Sequence, residues 1–303
     1  MMAPLAPPLD QPVWYEPLRA PSWLVPRVRD GATEILFCAE TWDETGVDAA
    51  GTDLRLGLPL FLAEATRFST NARPAALREA VEPTDLLPEA PLTVRCAVAP
   101  EAGPAIRVRV LDPLGTIVAE IAREAHDEAT LGAALESLPH AVVEVVASNG
   151  VRPIWNSLYG FPAGGGLVSY VRGQRASVRL GEGVLPESAD ADATTERRAS
   201  VKAVLEALGS LATSTSEPFP ALLFFGALLA AHDAGSPVVG ELRLLTNARC
   251  TAATDPLDPV FAMTALVARV FGDLQLSERR MSVLRSGDDA SVKRWLSRVQ
   301  AVT

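Results

Sequence analysis

Ile106-Arg-Val-Arg-Val-Leu-Asp-Pro-Leu-Gly-Thr-Ile-Val-Ala-Glu-Ile121 decides the fold. From Ile106 to Leu111 apolar and basic residues alternate. That is the two-residue period of a strand with one wet face, on which Arg107 and Arg109 fall. Asp112-Pro-Leu-Gly115 places proline at the second position of a four-residue turn, and 116–122 returns as the next strand. Residues 92–98 alternate in the same way, so the three segments read as an antiparallel meander.

Working outward, Glu34-Ile-Leu-Phe-Cys-Ala39 reads as a buried strand. Trp42 to Gly51 reads as a polar loop. Thr52-Asp53 is a candidate cap for a helix reaching about Phe68, with Leu54, Leu58, Phe61, Leu62 and Ala65 on one face. Pro59 moves the expected start toward Leu58, because proline is tolerated only in a first turn. Residues 69–91 read as loop with a short helix over 74–80. A helix follows the hairpin over 127–147, where Pro139 leaves open two helices, or a helix and a strand.

Beyond Gly166 the apolar period becomes helical. Helices are expected over 167–179, 196–213, 219–233, 237–253, 258–272, 274–286 and 289–301, with an acidic loop over 181–195. Short connections rich in Pro, Gly or Asp force antiparallel neighbours, hence helical hairpins. The fold class is α+β: an α/β-like domain over 31–150 containing the antiparallel hairpin, a connector over 151–166, and an all-α domain over 167–303.

Residues 1–30 carry seven of the 24 prolines and form an extended arm. Trp14, Tyr15 and Trp23 on it have two readings: a cover over the chain's own core, or anchors for a protein partner.

Composition excludes several functions. The net charge is −10, and no basic stripe exists to neutralise phosphates, so nucleic acid is not an expected partner. No signal peptide or membrane-spanning run is read, and a cytoplasmic location is expected. Cys38, Cys96 and Cys250 are too far apart for a metal motif, so they read as buried free thiols. His126, His140 and His232 lack a second ligand at metal spacing, so neither metal nor cofactor is expected. His126-Asp127-Glu128 is either an acid–base cluster or a helix start; the helix dipole favours the second. Gly164-Gly165-Gly166 before a helix offers amides to an anion but lacks the lysine of a phosphate loop, and so reads as linker. The hydroxyl cluster over 210–216 reads as a solvated turn. Trp295, near Lys293, Arg294 and Arg298, suits a capping helix better than a membrane-surface one.

The order strand, helix, strand, hairpin, helix resembles the N-terminal α/β domain of the TolB family. The likeness is carried by the 106–128 block, where Asp112 and Gly115 fill the places of an Asp-x-x-Gly turn. In bacterial regulatory proteins that domain is often followed by tetratricopeptide repeats. The 265–281 stretch is similar to the middle of one, with Gly272-Asp273 at its turn, and Asp255-Pro256-Leu-Asp-Pro259 resembles an inter-repeat turn. The likeness implies an accessory role in a larger bacterial assembly.

The expected function is therefore non-enzymatic, with protein partners bound through the helical hairpins and the arm. One alternative is a small-molecule sensor or enzyme using a cleft near Trp155, Tyr159 and Tyr170. The other is a homo-oligomeric structural subunit.

Overall fold

The computed structural model describes the chain except residues 1–5, 42–48, 83–86, 88, 100–104, 155–157, 182–190, 257, 288–289 and 301–303. Of the expected loops over 42–51 and 181–195, residues 42–48 and 182–190 lie outside the described residues, and residues 49–51 and 191–195 are helical rather than loop. The class is α+β, with one five-stranded mixed sheet, a helix between its first two strands in sequence, and the other α-helices after its last.

The chain divides into two units, each drawing on two stretches of sequence. The first holds Met1–Pro12 and Pro26–Ala176, the second Val13–Val25 and Ser177–Thr303. This differs from the expected boundaries twice. The arm is shared between units, and the division falls inside α3 (Gly165–Gly181) rather than before it. The start of α3 is pinned to α1 (Ala49–Ser69): on Glu64, buried in α1, converge Tyr170 Oη at 2.9 Å and Gln174 Nε2.

In the first unit the sheet order is β2 (Arg73–Val81), β1 (Glu34–Glu40), β3 (Leu92–Ala99), β4 (Ala105–Leu111), β5 (Ile117–Glu124). The first three strands run parallel and the last two continue antiparallel. The register puts Phe37, Val94, Val108 and Val110 on one face, all fully buried, where α1 and α2 (Glu128–Ala147) pack. Thr93, Arg95, Arg107, Arg109 and Glu120 fall on the other.

Three expectations need correction here. Residues 74–80 are not a short helix but the middle of β2. Its composition is poor for a strand, and pairing with β1 overrides that. Pro74 is tolerated because β2 is an edge, and the arm closes that edge: Leu9 and Ala76 exchange two backbone bonds of 2.8 Å. α1 begins at Ala49, before Thr52-Asp53, and runs through Pro59, its middle turns buried on all sides. α2 likewise continues through Pro139 as one helix. Each interior proline costs roughly 3 kcal/mol, which burial of Leu131, Leu135, Leu138, Val142 and Val146 along α2 offsets. Among the described residues, α2 alone is long and apolar enough to cross a membrane.

The second unit is built on α5 (Pro218–Asp233), apolar around its circumference and buried over most of its length, as a central helix must be. Against it pack α4 (Ala191–Ser214), α6 (Val238–Glu241) and α8 (Pro259–Val270); α7 (Arg243–Ala252) packs on α4 and α8, and α9 (Leu274–Arg285) and α10 (Ala290–Gln300) pack on α8. α4 extends to Ser214, so much of the hydroxyl cluster is a last helical turn: Thr213 and Ser214 donate to carbonyls of Gly209 and Leu211. α8 starts at Asp258-Pro259, where Asp258 accepts from Val260 N–H at 2.8 Å. α9 follows at the Gly272-Asp273 turn, with Asp273 accepting from Leu276 N–H.

Candidate functional site

The β4–β5 hairpin is closed by local chemistry. Asp112 Oδ1 accepts the amides of Leu114 and Thr116, each at 2.9 Å. Gly115 takes φ +78°, where a Cβ is disfavoured, and its N–H reaches the Asp112 carbonyl at 3.0 Å. The turn holds Leu114 out at 90 % exposure, with Ile117 and Val118 beside it at 50 % and 43 %. β5 is the far edge of the sheet, and no strand among the described residues pairs with its outer side. The exposed stretch 117–119 carries no charge. The charges begin at Glu120, while Arg123 is turned back to Ser137 of α2 at 2.8 Å.

Behind this edge lies a charged row across the wet face. Glu40 reaches Arg95 at 3.3 Å and Arg109 at 3.4 Å, and Arg109 continues to Glu120 at 3.4 Å. Glu40 is buried, and its two guanidinium partners supply the charge that burial requires. The row fixes strand register rather than presenting a free cation.

The other candidates from the sequence do not assemble. Asp127 caps α2 in a capping box with Thr130, which holds its carboxyl below the usual carboxylate range. Glu128 pairs with Arg172 at 3.1 Å. The helix-start reading is the one observed, and the His126 backbone N–H joins it by donating to Thr130 Oγ1 at 2.9 Å. His140 pairs with Glu144 on its own helix, and His232 with Asp233. The amide of Gly164, ahead of α3, is taken by Glu136 Oε1 at 2.5 Å, so the protein supplies its own anion there. No cluster of three metal-binding side chains occurs among the described residues. All three cysteines are buried and unbridged, as their apolar context implies. Burial pushes Cys38 and Cys250 up to about 12 and Cys96 well above 9.0.

The arm is largely built in. Trp14 is 1 % exposed, stacks on Phe219 of α5 with centroids 6.2 Å apart, and is a core residue of the second unit. Trp23 meets Trp295 of α10 edge-on at 5.8 Å, and Trp295 Nε1 donates to the Arg19 carbonyl at 3.1 Å. Tyr15 and Trp23 remain half-buried. The covering reading therefore describes Trp14, and the same burial removes Trp295 from any membrane-facing role. Of the proposed cleft, Tyr170 is sealed inside the first unit, Tyr159 is 67 % exposed, and Trp155 lies outside the described residues.

The chain matches no protein-family model and no curated protein.

The exposed trio Leu114, Ile117 and Val118 was present in the sequence as an unusually apolar hairpin tip. Turns of the Asp-Pro-x-Gly kind need no leucine, and a polar residue would serve the fold equally.

Proposed function

We propose that this protein is a non-enzymatic accessory subunit that binds a protein partner by accepting a strand along the outer edge of β5. The carrying observation is an asymmetry within one sheet. Leu9 closes the β2 edge, whereas no strand among the described residues covers the β5 edge, beside which three apolar side chains are exposed. An open edge whose exposed first residues, Ile117 and Val118, are apolar is an association hazard unless it has a use. Strand addition supplies affinity through the main chain, and Leu114, Ile117 and Val118 supply specificity.

The likeness to the TolB N-terminal domain belongs to this proposal. The order β1, α1, β3, hairpin, α2 supports it, and β2 is an additional strand. The α8–α9 hairpin with its Gly272-Asp273 turn supports the tetratricopeptide-like reading of the second unit. Three buried reduced thiols accord with a cytoplasmic location.

The test is native purification from the source cell with mass measurement, comparing the unmodified chain with Leu114→Ser/Val118→Lys. Both side chains are exposed, so the fold is expected to persist. Stoichiometric association, lost in the variant, supports the proposal. A partner retained by the variant, or a lone chain in both, overturns it. A dimer that the variant abolishes would identify the partner as a second copy.

A further inference from the structure

Arg19 is the only described residue other than glycine with a positive φ, at +46°. It ends a single helical turn: Leu18 N–H reaches the Trp14 carbonyl at 3.2 Å, and Ala20 N–H the Tyr15 carbonyl at 3.0 Å. Glycine is the ordinary occupant of such a position, and arginine carries a conformational cost there. The backbone is held by Trp295, but the guanidinium makes no hydrogen bond or ion pair with any described residue. A costly residue whose side chain does nothing for the fold calls for another role.

Arg19 borders a cavity of about 140 Å³ lined by residues of the second unit. Its apolar lining comes from Pro17 of the arm, Leu229 of α5, and Leu266 and Val270 of α8. The space is comparable with cavities of roughly 150 Å³ that enclose a six-carbon ring. Three further residues make its rim polar: His232 and Asp233 at the end of α5, and Arg269 of α8. Arg269 is already engaged by the Gln300 carbonyl at 3.0 Å and by Glu278 at 3.5 Å. Among the described residues, Asp233 pairs with the His232 ring alone, at 3.4 Å on one oxygen. Among the described residues, the cavity thus offers a cation without an ion pair, a carboxylate with spare acceptors, and an apolar floor.

We infer that this cavity binds a small apolar α-amino acid. Its carboxylate is held by the Arg19 guanidinium in a charge-assisted pair, and its ammonium by Asp233. The branched side chain enters the space between Leu229, Leu266 and Pro17. A guanidinium suits a carboxylate because its paired N–H groups match two oxygens. A simple fatty acid would leave Asp233 beside its own negative head, and a simple amine would leave Arg19 empty.

Calorimetric titration of the full chain with L-valine, L-leucine, isovalerate and isoamylamine decides the matter. The expected result is saturable binding of at least one amino acid, with isovalerate and isoamylamine each at least about tenfold weaker, since each lacks one charged contact. Arg19→Gly keeps the backbone conformation and is expected to melt no lower than the unmodified chain, while losing at least about tenfold in affinity. Asp233→Asn, at the surface, should weaken the amino acid but not isovalerate. No binding of any probe at millimolar concentration overturns the inference. So does binding that Arg19→Gly leaves intact, or isovalerate binding as tightly as the amino acids.

Discussion

Replacing Gly226 with alanine tests whether the Trp14 segment is seated on α5. Inside an ordinary helix this change stabilises by about 0.8–1 kcal/mol. At Gly226 the new methyl would lie 2.9 Å from Trp14 Cα, 3.0 Å from its Cβ and 3.3 Å from its carbonyl oxygen. These atoms belong to the backbone and its first side-chain carbon, so no rotamer change relieves the contact. Overpacking of this kind costs about 1–3 kcal/mol, which outweighs the helix gain and leaves a net loss of up to about 2 kcal/mol. Gly240 is the control, because a methyl there meets nothing within 4 Å. Urea unfolding followed by far-ultraviolet circular dichroism and tryptophan fluorescence reads both variants. In a Trp14→Ala background, itself costing about 3–5 kcal/mol, the penalty at 226 should shrink, because the segment no longer holds its place. If Gly226→Ala stabilises the full chain as much as Gly240→Ala does, Trp14 does not sit on α5 and the reasoning fails.

Two further outcomes follow from buried groups. Arg249 is 6 % exposed, with Nε and Nη2 lacking partners, so Arg249→Met should leave stability unchanged or raise it by about 1–4 kcal/mol in urea unfolding. A loss above about 1 kcal/mol would mean that the guanidinium is engaged. The cysteines should resist a thiol reagent near pH 8 until the chain unfolds, and prompt native labelling would contradict their burial. Their acidity also has a sign. Unfolded thiols ionise near 9.0, whereas folded Cys38 and Cys250 hold their protons to about 12. The unfolded chain thus binds fewer protons between those values, and stability falls as pH rises through that window. At about pH 10.5 the loss is roughly 2 kcal/mol per thiol, and Cys250→Ala should measurably flatten the decline.

The hairpin was legible because its information is local. Alternation fixed the faces of Arg107 and Arg109, and Asp112 with Gly115 fixed the turn. The helix start at Asp127 and the turn at Gly272-Asp273 were readable for the same reason. β2 was not, because nothing in Arg73–Val81 favours a strand; its pairing comes from β1, outside the stretch itself. The prolines misled at 59 and 139, since proline's local cost is visible in sequence while the compensating burial is not. The cavity was illegible throughout. It needs a turn at Pro17–Arg19 to meet residues more than two hundred positions later, and arginine gives no hint of a left-handed backbone. The open edge of β5 was half visible: the apolar tip could be read, but its place at the sheet's margin could not.

The division of the arm has a consequence for synthesis. Arg19 and Trp295 are 276 residues apart. At about 5–20 residues per second, roughly 14–55 s pass between their emergence from the ribosome. The sheet of the first unit is complete well within that interval. Trp14 waits for α5, which carries Phe219, and Trp23 waits longer, until α10 brings Trp295. A nascent chain in that condition offers aromatic surface to whatever is near. Its safe passage rests on the speed of translation and on cellular chaperones as much as on the stability of the finished fold.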